Sequence, residues 1–420
     1  MLKNMGTMDA RKVSGHTSSP TLVDWDKNGI PDLLVGSEDG RLYYKLNPRE
    51  KGKPVPMEEK GNFHDVPGSV VDHSPISSEL YMPTSSLLKM PNGDYIASHD
   101  YGSFQRSEPT ELVEIFRSSD GGKSWQHIST TKGRHSSLFR LGNTIYHIGA
   151  LHLYGPAMIQ KSTDEGLTWT LPVNEKNGLL DNKHPYHSAG VPVVVHNGRI
   201  WRGFEVANGG HGNRPKWTVV VFSAPIDSDL LDASNWTISE PIHHEGKWQQ
   251  WIEGNMVVTP EGELVNILRA NGRDPGYAVM VHVSGDGKKL AHDPKKDVIE
   301  FPGGGSKFAI RYDSESGRFW SLVNKQKNPA AKRNVLVLSS SENLRDWTVH
   351  ETVFNHPDAE NISLHYVDFQ IDGNDIVFTA RTSWPDGMEG PLNYHDNNFV
   401  TFHRLKNFRT DPELIDPDGR

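Results

Sequence analysis

The chain contains no cysteine, so no disulfide can stabilise it, and this absence does not distinguish an oxidising from a reducing compartment. No apolar run approaches the ~20 residues that a membrane-spanning helix needs, so we expect no membrane segment. Positive charge is in deficit, because 44 Lys and Arg stand against 53 Asp and Glu for a formal net charge of −9. Without a concentrated basic surface, we expect no nucleic-acid partner.

Long amphipathic helices are also missing, whereas residues that favour turns are plentiful. The sequence has 39 Gly, 27 Pro and 11 Trp, with 35% hydrophobic residues. This composition suits many short strands, tight turns and aromatic side chains packed between sheets. The first residues, Met1 to Met5, lack an apolar core followed by a cleavage site, so the sequence predicts no signal peptide.

An eight-residue pattern occurs twice. Ser118–Trp125 recurs as Ser162–Trp169, and the shared form is Ser-x-Asp-x-Gly-x-Ser/Thr-Trp. In such a turn the Asp caps backbone amides, the Gly takes a positive φ and the Trp packs back onto the next strand. The pattern resembles the Asp-box turns of sialidase-like propellers. Ser340–Trp347 is a degenerate copy that lacks the Gly. Two intact copies predict a repeated β unit.

A second repeat consists of turn residues followed by alternating apolar positions. Its glycines lie 49 to 64 positions apart, about one four-stranded blade each. They are Gly93, Gly142, Gly198, Gly262, Gly317 and Gly373, and Gly29 marks a seventh unit. We therefore predict an all-β, seven-bladed β-propeller of four-stranded antiparallel blades as one domain over residues 16–410. An N-terminal arm (1–15) and a C-terminal tail (411–420) flank it.

The first predicted unit contains a loop of the calcium-binding type. Asp24, Asp26, Asn28 and Asp32 place oxygen ligands at nearly alternating positions, and Gly29 allows a sharp turn. The bidentate Glu of a helix-flanked calcium loop is missing. The sequence thus predicts a structural Ca²⁺ site, or else an Asx-rich turn with solvated carboxylates.

Functional residues of a propeller enzyme are expected from several blades, because their loops converge at the mouth of the central channel. Most of the chain from residue 60 to 410 resembles a group of sialidase-like bacterial propellers, most closely the seven-bladed ulvan lyases of polysaccharide lyase families 24 and 25. The resemblance is carried by the two Asp-boxes and by four segments, 191–202, 251–255, 307–313 and 395–404.

This resemblance implies a secreted or periplasmic lyase that cleaves an acidic, rhamnose- and glucuronate-containing polysaccharide by β-elimination. In those lyases a Tyr and an Arg sixteen positions apart act with two upstream His. Tyr186, Arg202, His135 and His152 match that pattern here, and His147 or His187 could replace one of the histidines. We expect a monomer without an organic cofactor or catalytic metal. Segments that match the family supply the expected substrate-binding residues, which are His187, Glu253, Asn255, Arg311, Arg381, His395 and Asn398.

The chemistry of β-elimination is compatible with these side chains. Removing the C5 proton of a uronate requires neutralisation of its carboxylate, a base, and an acid for the departing O4. Arg202 is suited to bind the carboxylate. His135 or His152 is expected to act as the base or to bind the carboxylate, and Tyr186 is expected to deliver the proton. These roles can exchange with the stereochemistry at C5. Arg202 could instead pair with Glu205 between blades.

Two other functions remain open. One is a sialidase-like or rhamnosidase-like glycoside hydrolase, and the other is a carbohydrate-binding propeller without catalysis. A sialidase would require three arginines around one carboxylate and a Tyr/Glu nucleophile pair. The early Arg-Ile-Pro segment of such enzymes is absent from this sequence.

Overall fold

A computed structural model describes residues 3–7, 18–27, 31–37, 42–46, 63–104, 111–210, 216–244, 248–272, 274–326, 332–388 and 390–415. The chain divides into two compact units, Met1–His64 and Asp65–Arg420. This division falls inside the range 16–410 that the sequence predicts as one domain. No described segment forms a helix with the length and hydrophobicity of a membrane span.

The N-terminal unit is built on one antiparallel sheet. Its strands are β1 (Lys3–Thr7), β2 (Ser18–Val23), β3 (Asp32–Ser37) and β4 (Leu42–Leu46), in the order β1-β4-β3-β2. The predicted calcium loop follows β2 and ends at the start of β3.

The second unit opens with short elements and then forms six sheets, which we number as blades 1 to 6. The short elements are β5 (Ser69–His73), a 3-10 turn (Ile76–Ser78) and β6 (Leu80–Tyr81), which pairs with β9 (Gly102–Ser103). Blade 1 contains β7 (Ser85–Lys89), β8 (Tyr95–Asp100), β10 (Leu112–Ser118) and β11 (Gln126–Lys132), and β9 lies outside it. Blade 2 contains β12 (Arg134–Leu141), β13 (Thr144–Ala150), β14 (Ala157–Ser162) and β15 (Leu179–Asp181).

Blades 3 and 4 have divided outer or inner strands. Blade 3 contains β16 (Tyr186–His187), β17 (Val194–His196), β18 (Arg199–Val206), β19 (Thr218–Pro225), β20 (Thr237–Ile238) and β21 (Ile242–His243), with a 3-10 turn at Ala233–Asn235. Blade 4 contains β22 (Trp248–Val258), β23 (Leu264–Gly272), β24 (Tyr277–Val283), β25 (Leu290–Ala291) and β26 (Val298–Glu300).

The last two blades complete the series. Blade 5 contains β27 (Phe308–Asp313), β28 (Arg318–Asn324), β29 (Val335–Ser341) and β30 (Thr348–Asn355). Blade 6 contains β31 (Ser363–Asp372), β32 (Asp375–Ser383), β33 (Phe399–Lys406) and β34 (Glu413–Ile415), and β5 also pairs with β33.

The first strands of neighbouring blades pack against one another around the axis, and the series closes on itself. Polar side chains bridge successive blades: Asn255 of blade 4 accepts from the Ile310 amide of blade 5 at 3.0 Å. The Ser86 hydroxyl of blade 1 donates to Asp368 of blade 6 at 2.9 Å, which joins the first blade to the last. The ring therefore closes within residues 65–420, with β5 supplying an outer strand of blade 6.

The sequence markers correspond to local structure. Each of the six glycines from Gly93 to Gly373 has a positive φ in the hairpin between the first two strands of a blade. Gly29 lies outside the described residues. The all-β propeller fold is confirmed, and the described residues form seven sheets of at least four strands, six in the ring and one in the N-terminal unit.

Both Asp-boxes form the predicted turn. Asp164 accepts from the Thr168 amide at 2.9 Å and from the Ser162 hydroxyl at 2.7 Å, and Asp120 makes the corresponding bonds in blade 1. The Ser162 hydroxyl in turn accepts from the Gly166 amide at 2.8 Å. Trp125 is buried, as the pattern requires.

Candidate active site

Three first strands carry the same irregularity at the end opposite the marker hairpins. The register shifts by a bulge in β12, β22 and β31, and each bulge holds a residue other than glycine in the left-handed region. These residues are His135 (φ 52), Glu253 (φ 57) and Tyr366 (φ 53). A bulge redirects a side chain, and strained backbone of this kind concentrates at functional sites.

Two of the three bulge residues form a hydrogen-bonded pair. The Tyr366 hydroxyl donates to Oε1 of Glu253 at 2.6 Å. Arg269 extends from the end of β23 and donates through Nη1 to Oε2 of Glu253 at 3.0 Å and to the Tyr366 oxygen at 3.2 Å. A tyrosine, its carboxylate partner and a guanidinium thus share one polar cluster.

The electrostatics of this cluster keep Glu253 ionised. Burial raises its pKa, but the charge of Arg269, assisted by His187 and by the Tyr366 hydrogen bond, outweighs burial and lowers the pKa of Glu253 to about 2. Burial and the Glu253 charge raise the pKa of Tyr366, against the opposing charges of Arg269, Arg333 and Arg381. Glu253 is therefore ionised at neutral pH and accepts the hydrogen bond of Tyr366, which keeps its proton at rest.

Two further arginines flank the Tyr366 ring. The guanidinium carbons of Arg333 and Arg381 lie 5.0 and 4.5 Å from the ring centroid. Arg381 is held by the carbonyls of Pro83 and His395. Nη1 of Arg333 contacts Nδ1 of His365 at 3.0 Å.

Some donors in this group have no partner among the described residues. Nη2 of Arg269, together with Nε and Nη2 of Arg333, makes no hydrogen bond within that part of the chain. Burial lowers the pKa of Arg333 to about 10, so its guanidinium stays charged at neutral pH. The arrangement can bind an anion beside the Tyr366 hydroxyl.

A buried carboxylate extends the cluster into blade 3. Glu205, fully buried at the end of β18, accepts the Glu253 amide at 2.9 Å through Oε1 and contacts Nδ1 of His187 at 2.8 Å through Oε2. The His187 ring lies 4.7 Å from the ring of His135 and 5.0 Å from that of Trp217. Glu205 thus links an imidazole to the backbone of the Tyr366 partner.

The residues predicted to be catalytic are not brought together as a set. Arg202 is fully buried and donates to the carbonyls of Gly203 and Ala189, both at 2.6 Å, and to the Ser137 hydroxyl. The Tyr186 hydroxyl donates to Asp181 at 2.7 Å.

No hydrogen bond joins Tyr186 to Arg202 in the described structure. The Tyr186 side chain packs in an apolar cluster and lines a cavity of about 490 Å³ with Asp181 and His184. Their spacing of sixteen matches the lyase pattern, but both side chains are committed to other partners.

The histidines predicted as catalytic divide in the same way. His135 belongs to the cluster, where burial, then His187, Arg134 and Arg381, hold its pKa well below the ordinary value. The His152 side chain makes one hydrogen bond in the described part of the chain, from Nδ1 to the Leu153 carbonyl at 3.2 Å. His147 is buried, which lowers its pKa to about 3.

The predicted substrate-binding residues also separate into two groups. His187, Glu253 and Arg381 lie in the cluster, and His395 lies at its edge, with its ring 6.2 Å from His365. The other three bridge strands or blades: Asn255 bonds blade 5, Arg311 donates to Asp368 at 3.1 Å, and Asn398 donates to the Trp384 carbonyl at 2.9 Å.

Four residues of the cluster were not singled out from the sequence as site residues, namely Tyr366, Arg269, Arg333 and Glu205. A positional rule could have found one of them. Tyr366 lies seven positions before the marker Gly373, just as His135 lies seven before Gly142, and Glu253 lies nine before Gly262. The arginines follow no comparable rule, because Arg269 lies on the second strand of blade 4 and Arg333 lies in the connection just before the third strand of blade 5.

The calcium-type loop belongs to the N-terminal unit. Carboxylate oxygens of Asp24, Asp26 and Asp32 lie within 4.8 Å of one another. Asp32 is buried and accepts from the Trp25 amide at 3.1 Å and the Tyr44 hydroxyl at 3.0 Å. Asn28, the fourth predicted ligand, lies outside the described residues. An all-oxygen donor set of this kind fits a hard cation such as Ca²⁺.

Comparison with known proteins identifies the fold and no family. No family model matches the chain, and no curated protein matches it. Solved structures do resemble it. A Dyadobacter fermentans protein of unknown function has a TM-score of 0.54 at 15% identity, covering 80% of this chain and 97% of its own. The Penicillium chrysogenum α-L-arabinanase bound to arabinobiose has a TM-score of 0.51 at 15% identity, covering 82% of this chain and 99% of its own. A Hadza microbial sialidase has a TM-score of 0.53 at 12% identity, covering 90% of this chain and 73% of its own. At these identities the similarity establishes a propeller shared with carbohydrate-processing enzymes.

Proposed function

We propose that this protein is a glycoside hydrolase that acts on a sugar bearing a carboxylate at the reacting carbon, with Tyr366 as nucleophile and Glu253 as its base. The observation that carries the proposal is the 2.6 Å hydrogen bond between the Tyr366 hydroxyl and Glu253, with three guanidinium groups around it. A tyrosine nucleophile is the known exception to the carboxylate pair of most glycosidases, and sialidases use it.

The proposed chemistry follows from the positions of the protons. Glu253 takes the phenolic proton while the Tyr366 oxygen attacks the anomeric carbon and the glycosidic C–O bond breaks, so that the aglycone leaves with a proton from a general acid and a glycosyl-tyrosine intermediate remains. Water then attacks the same carbon and gives a proton to the conjugate base of that acid, while the tyrosyl oxygen leaves and takes its proton back from Glu253. Because the sugar is displaced twice, the anomeric configuration is retained.

The choice of an acidic sugar rests on charge. An ionised Asp or Glu nucleophile would be repelled by a carboxylate on the carbon that it attacks, whereas a tyrosine is neutral until the reaction begins. The unpartnered donors of Arg269 and Arg333 suit that carboxylate, since guanidinium groups bind carboxylates through paired hydrogen bonds. Both features favour a 2-keto sugar acid over a neutral sugar.

The lyase predicted from the family resemblance has less support. Its proposed carboxylate ligand, Arg202, is fully buried with three donors on protein acceptors, and its proposed acid, Tyr186, is bonded to Asp181. A secreted or periplasmic location, a monomeric state and an acidic polysaccharide substrate stay predictions.

The test is to incubate the protein with an aryl ketoside of N-acetylneuraminic acid and, separately, with ulvan. We expect release of the aryl alcohol, and proton NMR of the first sugar product should show the starting anomeric configuration. Tyr366→Phe should lower turnover by on the order of 10³-fold or more without changing the circular dichroism spectrum. An unsaturated uronate chromophore from ulvan, with no ketoside cleavage, would instead establish the lyase.

A further inference from the structure

Glu205 and His187 form a carboxylate–imidazole pair beside the Tyr366–Glu253 pair, and the nucleophilic step described above does not use it. Nδ1 of His187 lies 2.8 Å from Oε2 of Glu205. Glu205 is fully buried, and its other oxygen is taken by the Glu253 amide. Glu205 is therefore fixed in place and, as an acceptor, orients the imidazole with its proton on Nδ1.

The opposite nitrogen of His187, Nε2, has no partner among the described residues. This atom is also not fully buried. The side chain is 13% exposed, so Nε2 can reach solvent or a bound molecule. An imidazole with one nitrogen on a buried carboxylate and the other open is the arrangement of a general acid or base.

The pair adjoins the proposed base, because the Glu205 carboxylate bonds both the His187 ring and the Glu253 amide. One carboxylate group separates the His187 ring from the Glu253 backbone, and His187 contributes to lowering the pKa of Glu253. Among the described residues, the rings of His135, Tyr154 and Trp217 also lie around His187. Within that part of the chain, Glu205 is the acidic group that bonds the imidazole directly.

We infer that His187, oriented by Glu205, is the acid and base for the leaving group of the proposed hydrolase. In the first step Nε2–H gives its proton to the glycosidic oxygen as the C–O bond breaks. In the second step neutral Nε2 takes a proton from the water that attacks the glycosyl-tyrosine. His187 is then a catalytic residue, and Glu205 is a positioning residue. This inference rests on the proposed function.

The experiment compares two ketosides of the same sugar acid, one with a 4-nitrophenyl and one with a methyl leaving group. A nitrophenolate departs without protonation, whereas methoxide needs an acid. His187→Gln should therefore lower kcat/KM for the methyl ketoside by about a hundredfold or more, and should change the nitrophenyl reaction far less when glycosylation limits the rate.

A matched control is His184, whose Nδ1 also lies 2.8 Å from a carboxylate, that of Asp181, outside the cluster. His184→Gln should leave the ratio between the two substrates unchanged. Glu205→Gln should lower kcat/KM for the methyl ketoside more than for the nitrophenyl ketoside, because the imidazole loses the carboxylate that orients it.

Two results would overturn the inference. Equal losses on both ketosides in His187→Gln would indicate a purely structural role, and no loss on either would remove His187 from the reaction. Tyr366→Phe separates this failure from that of the proposed function, since it should abolish turnover of both ketosides. If it does not, or if the wild-type protein cleaves neither ketoside, the proposed function fails and the inference with it.

Discussion

Tyr366 and Glu253 lie 113 positions apart on blades 6 and 4, which are not neighbours in the ring, yet 2.6 Å separates the phenolic oxygen from the carboxylate. Their meeting across the axis depends on the two bulges that place both residues in the left-handed region. The contact is therefore a property of the closed ring, because no single blade contains it.

The Glu253–Arg269 pair should be costly to break. Glu253→Gln removes the charge opposite a buried guanidinium, and we expect a loss of about 3–5 kcal/mol in the free energy of unfolding at neutral pH. Urea denaturation measures this loss. The control is Glu165→Gln in the exposed Arg117–Glu165 pair, which should change stability by less than about 1 kcal/mol.

The same variant makes a prediction about pH. The pKa of Glu253 is lowered from 4.5 to about 2 in the folded protein, so its ionisation stabilises the fold above about pH 4.5 and this contribution is lost as the pH falls towards 2. The stability difference between the wild-type protein and Glu253→Gln should therefore shrink across that window. A difference that is constant from pH 6 to pH 3 would contradict the assigned pKa.

Arg333 should act on the carboxylate of the substrate. Losing hydrogen bonds between charged groups costs about 1.5–3 kcal/mol, so Arg333→Met should raise KM for an acidic ketoside by roughly 10- to 100-fold. For the methyl ester of that ketoside, which has no carboxylate charge, the same variant should raise KM much less. Arg318→Met, which removes a guanidinium bound to Glu342 on blade 5, is the control and should leave KM unchanged.

The Asp-box carboxylates should stabilise their turns without affecting catalysis. Asp164→Ala removes the acceptor for one amide and two hydroxyls, and by analogy with a lost helix cap we expect a cost of about 1 kcal/mol. These hydrogen bonds lower the pKa of Asp164 to about 2, so the effect should fade as the pH falls from 3.8 towards 2. Unchanged kcat/KM with a lower Tm would agree with this role.

The N-terminal loop predicts a response to calcium. If Asp24, Asp26 and Asp32 bind Ca²⁺, calorimetric titration of the full chain should show one site, and Asp24→Asn should weaken it at least tenfold. Asp227→Asn, a carboxylate outside the loop, should leave binding unchanged. Absence of heat at millimolar Ca²⁺ would support the solvated turn.

The fold could be predicted from sequence because its evidence is local. Each hairpin glycine and each Asp-box is recognised within eight residues, and both keep their geometry wherever the blade lies in the ring. The candidate site is not local. Glu253, Arg269, Arg333 and Tyr366 come from three blades, and of these four only Glu253 was predicted as a site residue, through the segment 251–255. Nothing in the immediate sequence of the two arginines distinguishes them from other polar residues of the blades. The Tyr186 and Arg202 spacing was conspicuous, but a spacing does not reveal that Arg202 is fully buried.

The pairing of β5 with β33 has a consequence for biosynthesis. His73 of β5 contacts Asp386, which follows β32 and lies 313 positions later in the chain. During synthesis, β5 therefore cannot pair until β33 has left the ribosome. Contacts of such long sequence separation slow folding and leave an unpaired strand edge available for aggregation in the meantime. Nascent chains released before residue 399 should therefore depend on chaperones far more than the finished protein.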